Sequence, residues 1–362
     1  MKLLSLFDGM GCGMIALKEL GVTVTKYYSS ELDKFANHQT KLNFPGIIQI
    51  GDVTKWKEWD IDWNIDLVIG GSPCQGFSFA GKQLAFDDPR SKLFFVFVEI
   101  LNHVKKINPN VKFLLENVDM KKDHLRIISE YLGIFPVNIN SNLVSAQNRN
   151  RWYWTNIRTK KIGLFEELYT NIPQPEDKGI LLKDILQDES EVDEKYYLNE
   201  LALNRIERKT YSNPQIDPEK TGTLNCDNNS SRLSFDSGTT LIKVDKKGII
   251  KSDQNKSGCL TGGGHSGGNH SDMDIICVAQ RGRESGQQFE ENKTGKTNAI
   301  TSVQKDNLVM NDYKLRRLTP TECSRLQTIP EWYIWDVSNT QQYKMLGNGW
   351  TVEVIKHIFK YL

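Results

Sequence analysis

Short apolar runs alternate with amphipathic stretches through the first third of the chain. Lys2–Phe7 is apolar and runs straight into glycines, and Met14–Leu20 has helical spacing and stops at Gly21. Thr23–Ser29 reads as a strand and Asp33–Leu42 as a helix; Ile65–Ile69 is a buried strand entering Gly70–Gly71. Leu93–Val104 is an apolar helix, and Val111–Leu115 is another strand. Strands alternating with helices predict a parallel sheet covered on both faces. Ligands of such sheets bind beyond the carboxyl ends of the strands, so the turns after these strands are where chemistry is to be sought.

The pattern changes after about Arg158. Residues 159–210 are charged and helix-prone, whereas 211–312 are rich in Gly, Ser, Asn, Asp and Thr, with β-prone runs at Thr240–Val244 and Asp274–Ala279. Lys-Thr-Gly at 220–222, Lys-Ser-Gly at 256–258 and Lys-Thr-Gly at 293–295 recur at intervals of roughly 35 residues, which fits a small repeated β unit or ordinary turn composition. From Lys314 the helical pattern returns, with Thr319 as cap, Pro320 after it and Glu322 supporting the first turn. Thr351–Leu362 is an amphipathic helix after the turn Gly347-Asn348-Gly349. The expected organisation is a first domain over 1–190, a second over 191–312, and a return to the first over 313–362.

Composition narrows the class. A chain of 362 residues suits one large domain and one smaller one. Hydrophobic residues at 38% and charged residues at 25% exclude a disordered or membrane protein by composition. A net charge of +1 neither suggests nor excludes nucleic acid, since a local groove can be positive in a neutral chain. No stretch approaches the ~18 apolar residues of a bilayer span, and the N-terminal run is too short for a signal-peptide core. The six cysteines form no CxxC pair, so no metal is expected, and the reading is cytoplasmic.

Several turns carry candidate chemistry. Phe7-Asp8-Gly9-Met10-Gly11-Cys12-Gly13 is a glycine-rich turn between a strand and a helix, where a ligand can approach the backbone. Glu31 ends the next strand, where an acid holds ribose hydroxyls, and Gly51-Asp52-Val53 adds a third acidic turn suited to an adenine amino group. Each acid alone reads as a solvated loop residue; three in register point to an adenosyl cofactor. Gly70-Gly71-Ser72-Pro73-Cys74-Gln75-Gly76-Phe77-Ser78 sets a cysteine in a Gly/Pro turn at the end of a buried strand, where structural cysteines usually lie within core elements; taken alone, this one reads as either reactive or structural. Glu116-Asn117-Val118 ends the following strand, and a carboxyl group there points into the same cleft.

Gly-Ser-Pro-Cys-Gln followed by Glu-Asn-Val closely resembles the cytosine-5 DNA methyltransferase family. Further blocks match in order: Phe7, Gly9 and Gly11; Gln147, Arg149 and Arg151; Arg317, Leu318, Thr319 and Glu322, continuing to Arg325 and Gln327; then Gly347 and Asn348. The resemblance covers about residues 3–158 and 314–360. Phe7-Asp8-Gly9 and Trp335-Asp336-Val337-Ser338-Asn339 are similar to the animal de novo enzymes, while Pro-Cys-Gln and Gly-Asn-Gly look bacterial or phage-like. Cys12 departs from the second consecutive glycine usual in bacterial relatives.

The resemblance implies a Rossmann-like α/β sheet that uses S-adenosyl-L-methionine, with a smaller, mostly β or irregular target-recognition domain, in a free-standing prokaryotic or phage enzyme. It implies Cys74 as the covalent nucleophile on cytosine C6, Glu116 on N3 and the exocyclic amine, and Arg149 and Arg151 orienting Glu116 and contacting the base carbonyl. The cofactor would be held by Phe7, Asp8, Gly9, Met10, Gly11, Glu31, Leu32, Asp52, Val53, Pro73, Asn348, Gly349 and Trp350. Gln75–Arg90, with Gly76, Gly81 and Lys82, looks like a loop that closes on DNA around a flipped base. Arg232, Arg281 and Arg283 suit base-edge or phosphate contacts. Segment 315–327 is expected to be a helix bracing the two domains, with phosphate contact by Arg316, Arg317 or Arg325 as the alternative. Double-stranded DNA is the expected partner, with a separately acting restriction endonuclease left open. Two rivals stay open: a tRNA cytosine-5 methyltransferase on the same scaffold, and a non-catalytic DNA-binding homologue.

Overall fold

The computed structural model describes residues 1–72, 92–197, 243–244, 250–251, 276–283, 286–292, 296–300, 302, 307–311 and 314–362, and only the backbone for 243–292, 298, 307, 310–311 and 314–315. The chain divides into two compact units, Met1–Ile180 with Ser324–Leu362, and Leu181–Cys323. The division thus falls after Ile180 and Cys323, where the sequence suggested 190 and 312.

In the first unit seven strands form one sheet: β1 (Lys2–Leu6), β2 (Lys26–Ser30), β3 (Ile47–Gln49), β4 (Leu67–Gly70), β5 (Lys112–Val118), β6 (Val137–Asn140) and β7 (Asn150–Thr155). Their order is β3-β2-β1-β4-β5-β7-β6. The first five are parallel, as the strand–helix alternation predicts. β7 runs against both β5 and β6, a reversal that the periodicity does not announce.

Alternation along the strands sorts the two faces. Leu4 and Leu6 of β1, Val68 of β4, Phe113 and Leu115 of β5 and Trp154 of β7 join one core. That core includes Phe94, Phe97, Leu101 and Val104 of α3 (Lys92–Ile107) and Ile128 and Leu132 of α4 (Lys122–Leu132). Trp154 is fully buried, and its indole N–H donates to the Ser129 hydroxyl over 2.9 Å, so the large ring leaves no polar group unpaired.

The opposite face is covered by α1 (Cys12–Glu19) and α7 (Val352–Phe359), which pack on each other. Gly13 makes this approach possible: a Cβ there would stand 2.1 Å from Ile69 Cδ1. This unit also holds the α-helices α2 (Lys34–Asn43) and α6 (Asn339–Asn348). Glu116 lies two residues beyond Leu114 and therefore faces the α1 side at the carboxyl edge of the sheet.

The stretch from 159 corrects the helical expectation. β8 (Thr159–Ile162) and β9 (Glu167–Thr170) form an antiparallel hairpin, whose loop holds Gly163 at φ +79° and Glu166 at φ +52°. Left-handed backbone at both positions closes a hairpin and ends any helix, whatever the helix propensity of the lysines and glutamates around it.

The second unit is described in parts. Three single-turn 3-10 helices occupy Leu182–Asp184, Glu189–Glu191 and Glu194–Tyr196, where an α-helix was expected. Asp188 and Asp193 each accept the backbone N–H two residues on, capping the starts of the second and third of these turns, so the chain restarts locally instead of running on as one helix. A strand pair, β10 (Lys243–Val244) with β11 (Ile250–Lys251), precedes a four-stranded antiparallel sheet. Its strands are β12 (Ile276–Arg283), β13 (Gly286–Asn292), β14 (Asn307–Asn311) and β15 (Lys314–Arg317), in the order β13-β12-β14-β15.

Segment 315–327 is therefore not one helix. It is the end of β15 followed by α5 (Pro320–Leu326), within which the two units divide. The Thr319–Glu322 cap forms as predicted: Thr319 N–H donates to Glu322 Oε2 over 2.7 Å, and Glu322 N–H to Thr319 Oγ1 over 3.2 Å. Arg316 is buried and gives two 2.8 Å hydrogen bonds to the same carboxylate, so it is not the phosphate contact considered above.

Candidate active site

A cleft of about 400 Å³ opens at the carboxyl edge of β1, β4 and β5. One wall is the turn after β1. Phe7 has φ +56° and Gly9 φ +58°, and no atom stands within 4 Å of where a Gly9 Cβ would be. A bulky residue in the left-handed region costs on the order of 1–3 kcal/mol, a strain that collects at binding sites.

Glu31 fixes this turn. Its Oε2 accepts the Gly9 N–H over 2.9 Å, and its Oε1 accepts the N–H groups of Leu32 and Asp33 over 2.8 Å each. Three bonds leave about one acceptor position of the carboxylate for a hydroxyl in the cleft.

Asp8 is buried beneath the turn. Ser5, Tyr27 and Ser29 all donate their hydroxyls to it. Burial pushes its carboxyl up to about 6, against the opposing pull of the three hydroxyls and with a contribution from Glu31. The ordinary value is 3.8, so the folded state favours the protonated acid. Its stabilising contribution is complete below that value and is lost as pH rises through about 6. Urea unfolding between about pH 4 and pH 7 should show wild type losing up to about 3 kcal/mol relative to Asp8→Asn. Parallel curves for the two proteins would remove Asp8 as the source.

The other wall comes from β5, β7 and the α6–α7 turn. Glu116, Arg149 and Arg151 all line it, with Gly71 and Ser72 after β4 and Gly347–Trp350 opposite. Arg151 Nε stands 3.0 Å from Glu116 Oε1. Trp350 Nε1–H donates to Glu116 Oε2 over 3.1 Å. Arg149 turns away from the carboxylate. It donates to the carbonyls of Gly347 (3.3 Å) and Gly349 (2.9 Å), and burial lowers its guanidinium to about 10.

The sequence-predicted residues divide accordingly. Phe7, Asp8, Gly9, Glu31, Glu116, Arg149, Arg151, Asn348, Gly349 and Trp350 meet at the cleft. Met10, Gly11, Leu32, Asp52 and Val53 are not among its lining residues. Met10 and Val53 are buried, and Gly11 begins α1 at φ +80° where Thr40 and Phe44 fill the space a side chain would need. Leu32 is 71% exposed, and Asp52 caps the 3-10 helix Val53–Glu58 through Thr54.

Pro73, Cys74 and the loop Gln75–Arg90 lie outside the described residues, as does Arg232; the side chains of Arg281 and Arg283 also do. Ser5, Asp33, Ser72, Lys344 and Met345 line the cleft without having been singled out. Of these, Lys344 pairs with Asp33, the N-cap of α2. The position of Lys344 three residues before Gly347, one helical turn, was the available signal.

Cys12 is buried, and burial pushes its thiol up to about 12. Burial also raises the Cys323 thiol. Neither is a competent nucleophile. Among the described residues no group of three or more His, Cys, Asp or Glu could hold a metal ion, and no helix is long and apolar enough to cross a membrane.

The profile of the C-5 cytosine-specific DNA methylase family matches residues 1–362. The chain belongs to this family. It is 30% identical over 368 residues to the type II methyltransferase M1.ScrFI of Lactococcus lactis subsp. cremoris, covering 99% of this chain and 76% of the relative. It is 28% identical over 440 residues to the orphan methyltransferase M.SPRI of Bacillus phage SPR, covering 100% and 97%. Among solved structures, Entamoeba histolytica EhMeth superposes with a TM-score of 0.55 at 15% identity, covering 99% of this chain and 97% of that one. A Spodoptera frugiperda DNMT2 variant gives 0.51 at 21% identity, covering 99% and 98%. The Rossmann-like methyltransferase fold of this C-5 methylase is shared with both structures.

Proposed function

We propose that the chain is a DNA (cytosine-5)-methyltransferase acting on a flipped-out cytosine within a specific duplex sequence, with Cys74 as the covalent nucleophile. The observation that carries this reading is the Glu116 carboxylate, faced by Arg151 and Trp350, at the same cleft as the turn that Glu31 pins. Ser72 lines that cleft, and Cys74 follows two residues later in the chain.

The open backbone at Gly9, the fixed Glu31 and the aromatic Phe7 fit an adenosyl group with a ribose hydroxyl on Glu31. Asn348, Gly349 and Trp350 would border its other end. S-Adenosyl-L-methionine, when bound there, supplies an electrophilic methyl group on a sulfonium sulfur.

The chain's own residues act on the base. The Cys74 thiolate adds to C6, breaking the ring conjugation and making C5 enamine-like. Glu116 accepts from the exocyclic amine and gives a proton to N3 as negative charge builds in the ring, and takes that proton back when the C6–sulfur bond breaks. Arg151, beside Glu116, offers its charge to the ring carbonyl. Once C5 carries the methyl group, its proton leaves and the C6–sulfur bond breaks, restoring both the ring and the thiolate. In this reading the Leu181–Cys323 unit supplies target recognition, and the protein works on cytoplasmic DNA.

Bisulfite sequencing of DNA from cells expressing the protein tests this and reports the recognised sequence. A labelled-cofactor assay on duplex DNA and tRNA side by side completes it. Methylation confined to tRNA, or absent from both, overturns the reading.

A further inference from the structure

Trp350 makes a contact that holding a cofactor does not require. Its indole N–H donates to Glu116 Oε2, while Arg151 faces the other carboxylate oxygen. The ring lies beside two glycines: a Cβ at Gly71 would fall 3.0 Å from Nε1 and 3.4 Å from Cζ2, and one at Gly13 3.6 Å from Cζ3. Side chains at Gly71 would thus press on both partners of the bond, since the same Cβ would be 3.0 Å from Glu116 Oε2.

The backbone that carries the indole is held as firmly. Arg149 donates to the carbonyls of Gly347 and Gly349, and Gln327 Nε2 donates to those of Leu346 and Gly349. The Trp350 backbone N–H is directed at the Cys12 sulfur. An indole N–H donates and never accepts, so it can satisfy only a lone pair of the carboxylate.

We infer that Trp350 is a positioning residue for Glu116: its N–H fixes Oε2, and with it the plane of the carboxyl group, before a base enters. The inference rests on the proposed role of Glu116. It gives the α6–α7 turn a part in base recognition as well as in the cofactor pocket.

Trp350→Phe keeps an aromatic ring and removes the donor. Single-turnover methyl transfer by Trp350→Phe should fall about 10- to 100-fold, the range of a hydrogen bond to a charged group. Calorimetric affinity for S-adenosylhomocysteine should change by less than about threefold, because the ring remains. Unchanged transfer, or a loss confined to cofactor affinity, overturns the inference.

The bond itself is read without turnover from the ¹⁵N–¹H indole resonance of Trp350 in the full-length protein. It should move upfield in Glu116→Gln, as a charged acceptor gives way to a neutral one. An unmoved resonance also overturns the inference. A wild-type protein that methylates no nucleic acid, with the resonance shift intact, would instead fail the reading of Glu116 and leave the Trp350 contact established.

Discussion

Cys74→Ser should abolish methyl transfer, a fall of roughly 10⁴-fold or more, the scale on which an enzyme suffers from losing its covalent nucleophile. Serine is close to cysteine in size, so the loss would be one of chemistry. A thiol reaches its nucleophilic anion at neutral pH far more readily than a hydroxyl does. No described thiol can stand in, because Cys12 and Cys323 are both buried with their thiols raised. Single-turnover transfer of labelled methyl gives the rate, and denaturing electrophoresis on duplexes containing 5-fluorocytosine shows the covalent adduct. Cys74→Ser should form no adduct while keeping its affinity for S-adenosylhomocysteine. Methylation at the wild-type rate would remove Cys74 from the mechanism.

Glu322→Ala should cost about 3–5 kcal/mol of stability, because it strands a buried guanidinium. Arg316 and Glu322 have side chains 1% and 0% exposed, joined by two 2.8 Å bonds. The same carboxylate also accepts the N–H groups of Thr319 and Gln187. Removing it therefore leaves two backbone donors unpaired and a buried cation with only the Arg317 carbonyl to donate to. Urea unfolding should show a large drop in midpoint. The double replacement Arg316→Met, Glu322→Met should recover much of it, since apolar side chains of similar volume do without the pairing. A cost of less than about 1 kcal/mol for Glu322→Ala would show that water reaches Arg316 after all.

The sequence carries the sheet well where one strand period meets one helix period. β1, β2, β4 and β5 follow from apolar runs ending at Phe7, Ser29, Ile69 and Leu115, each within a few residues of the observed ends. β7 was not foreseen, because Arg151–Thr155 reads as aromatic and polar without alternation. Its antiparallel pairing with β5 is set by tertiary register, Glu116 opposite Tyr153 and Asn117 opposite Trp152. The charged stretch after 159 misled because lysine and glutamate favour helices as residues, while Gly163, Glu166, Asp188 and Asp193 decide locally for turns.

At the site, residue types in order were enough to bring Phe7, Glu31, Glu116, Arg151 and Trp350 to one cleft. What order could not show was the partition of the arginines. Arg149 and Arg151 stand two residues apart in the same block, Arg149 just ahead of β7 and Arg151 within it. Arg149 nevertheless ends on backbone carbonyls and Arg151 on a carboxylate, a choice made by where the α6–α7 turn arrives.

That arrival has a consequence for biosynthesis. Translation delivers Phe7–Gly13 and Arg149 well before Gly347 and Gly349, whose carbonyls satisfy Arg149. A chain still short of them lacks the two carbonyls that hold Arg149 at the cleft in the folded protein. Truncation ahead of that turn should therefore yield a fragment inactive in methyl transfer, which the labelled-cofactor assay would read.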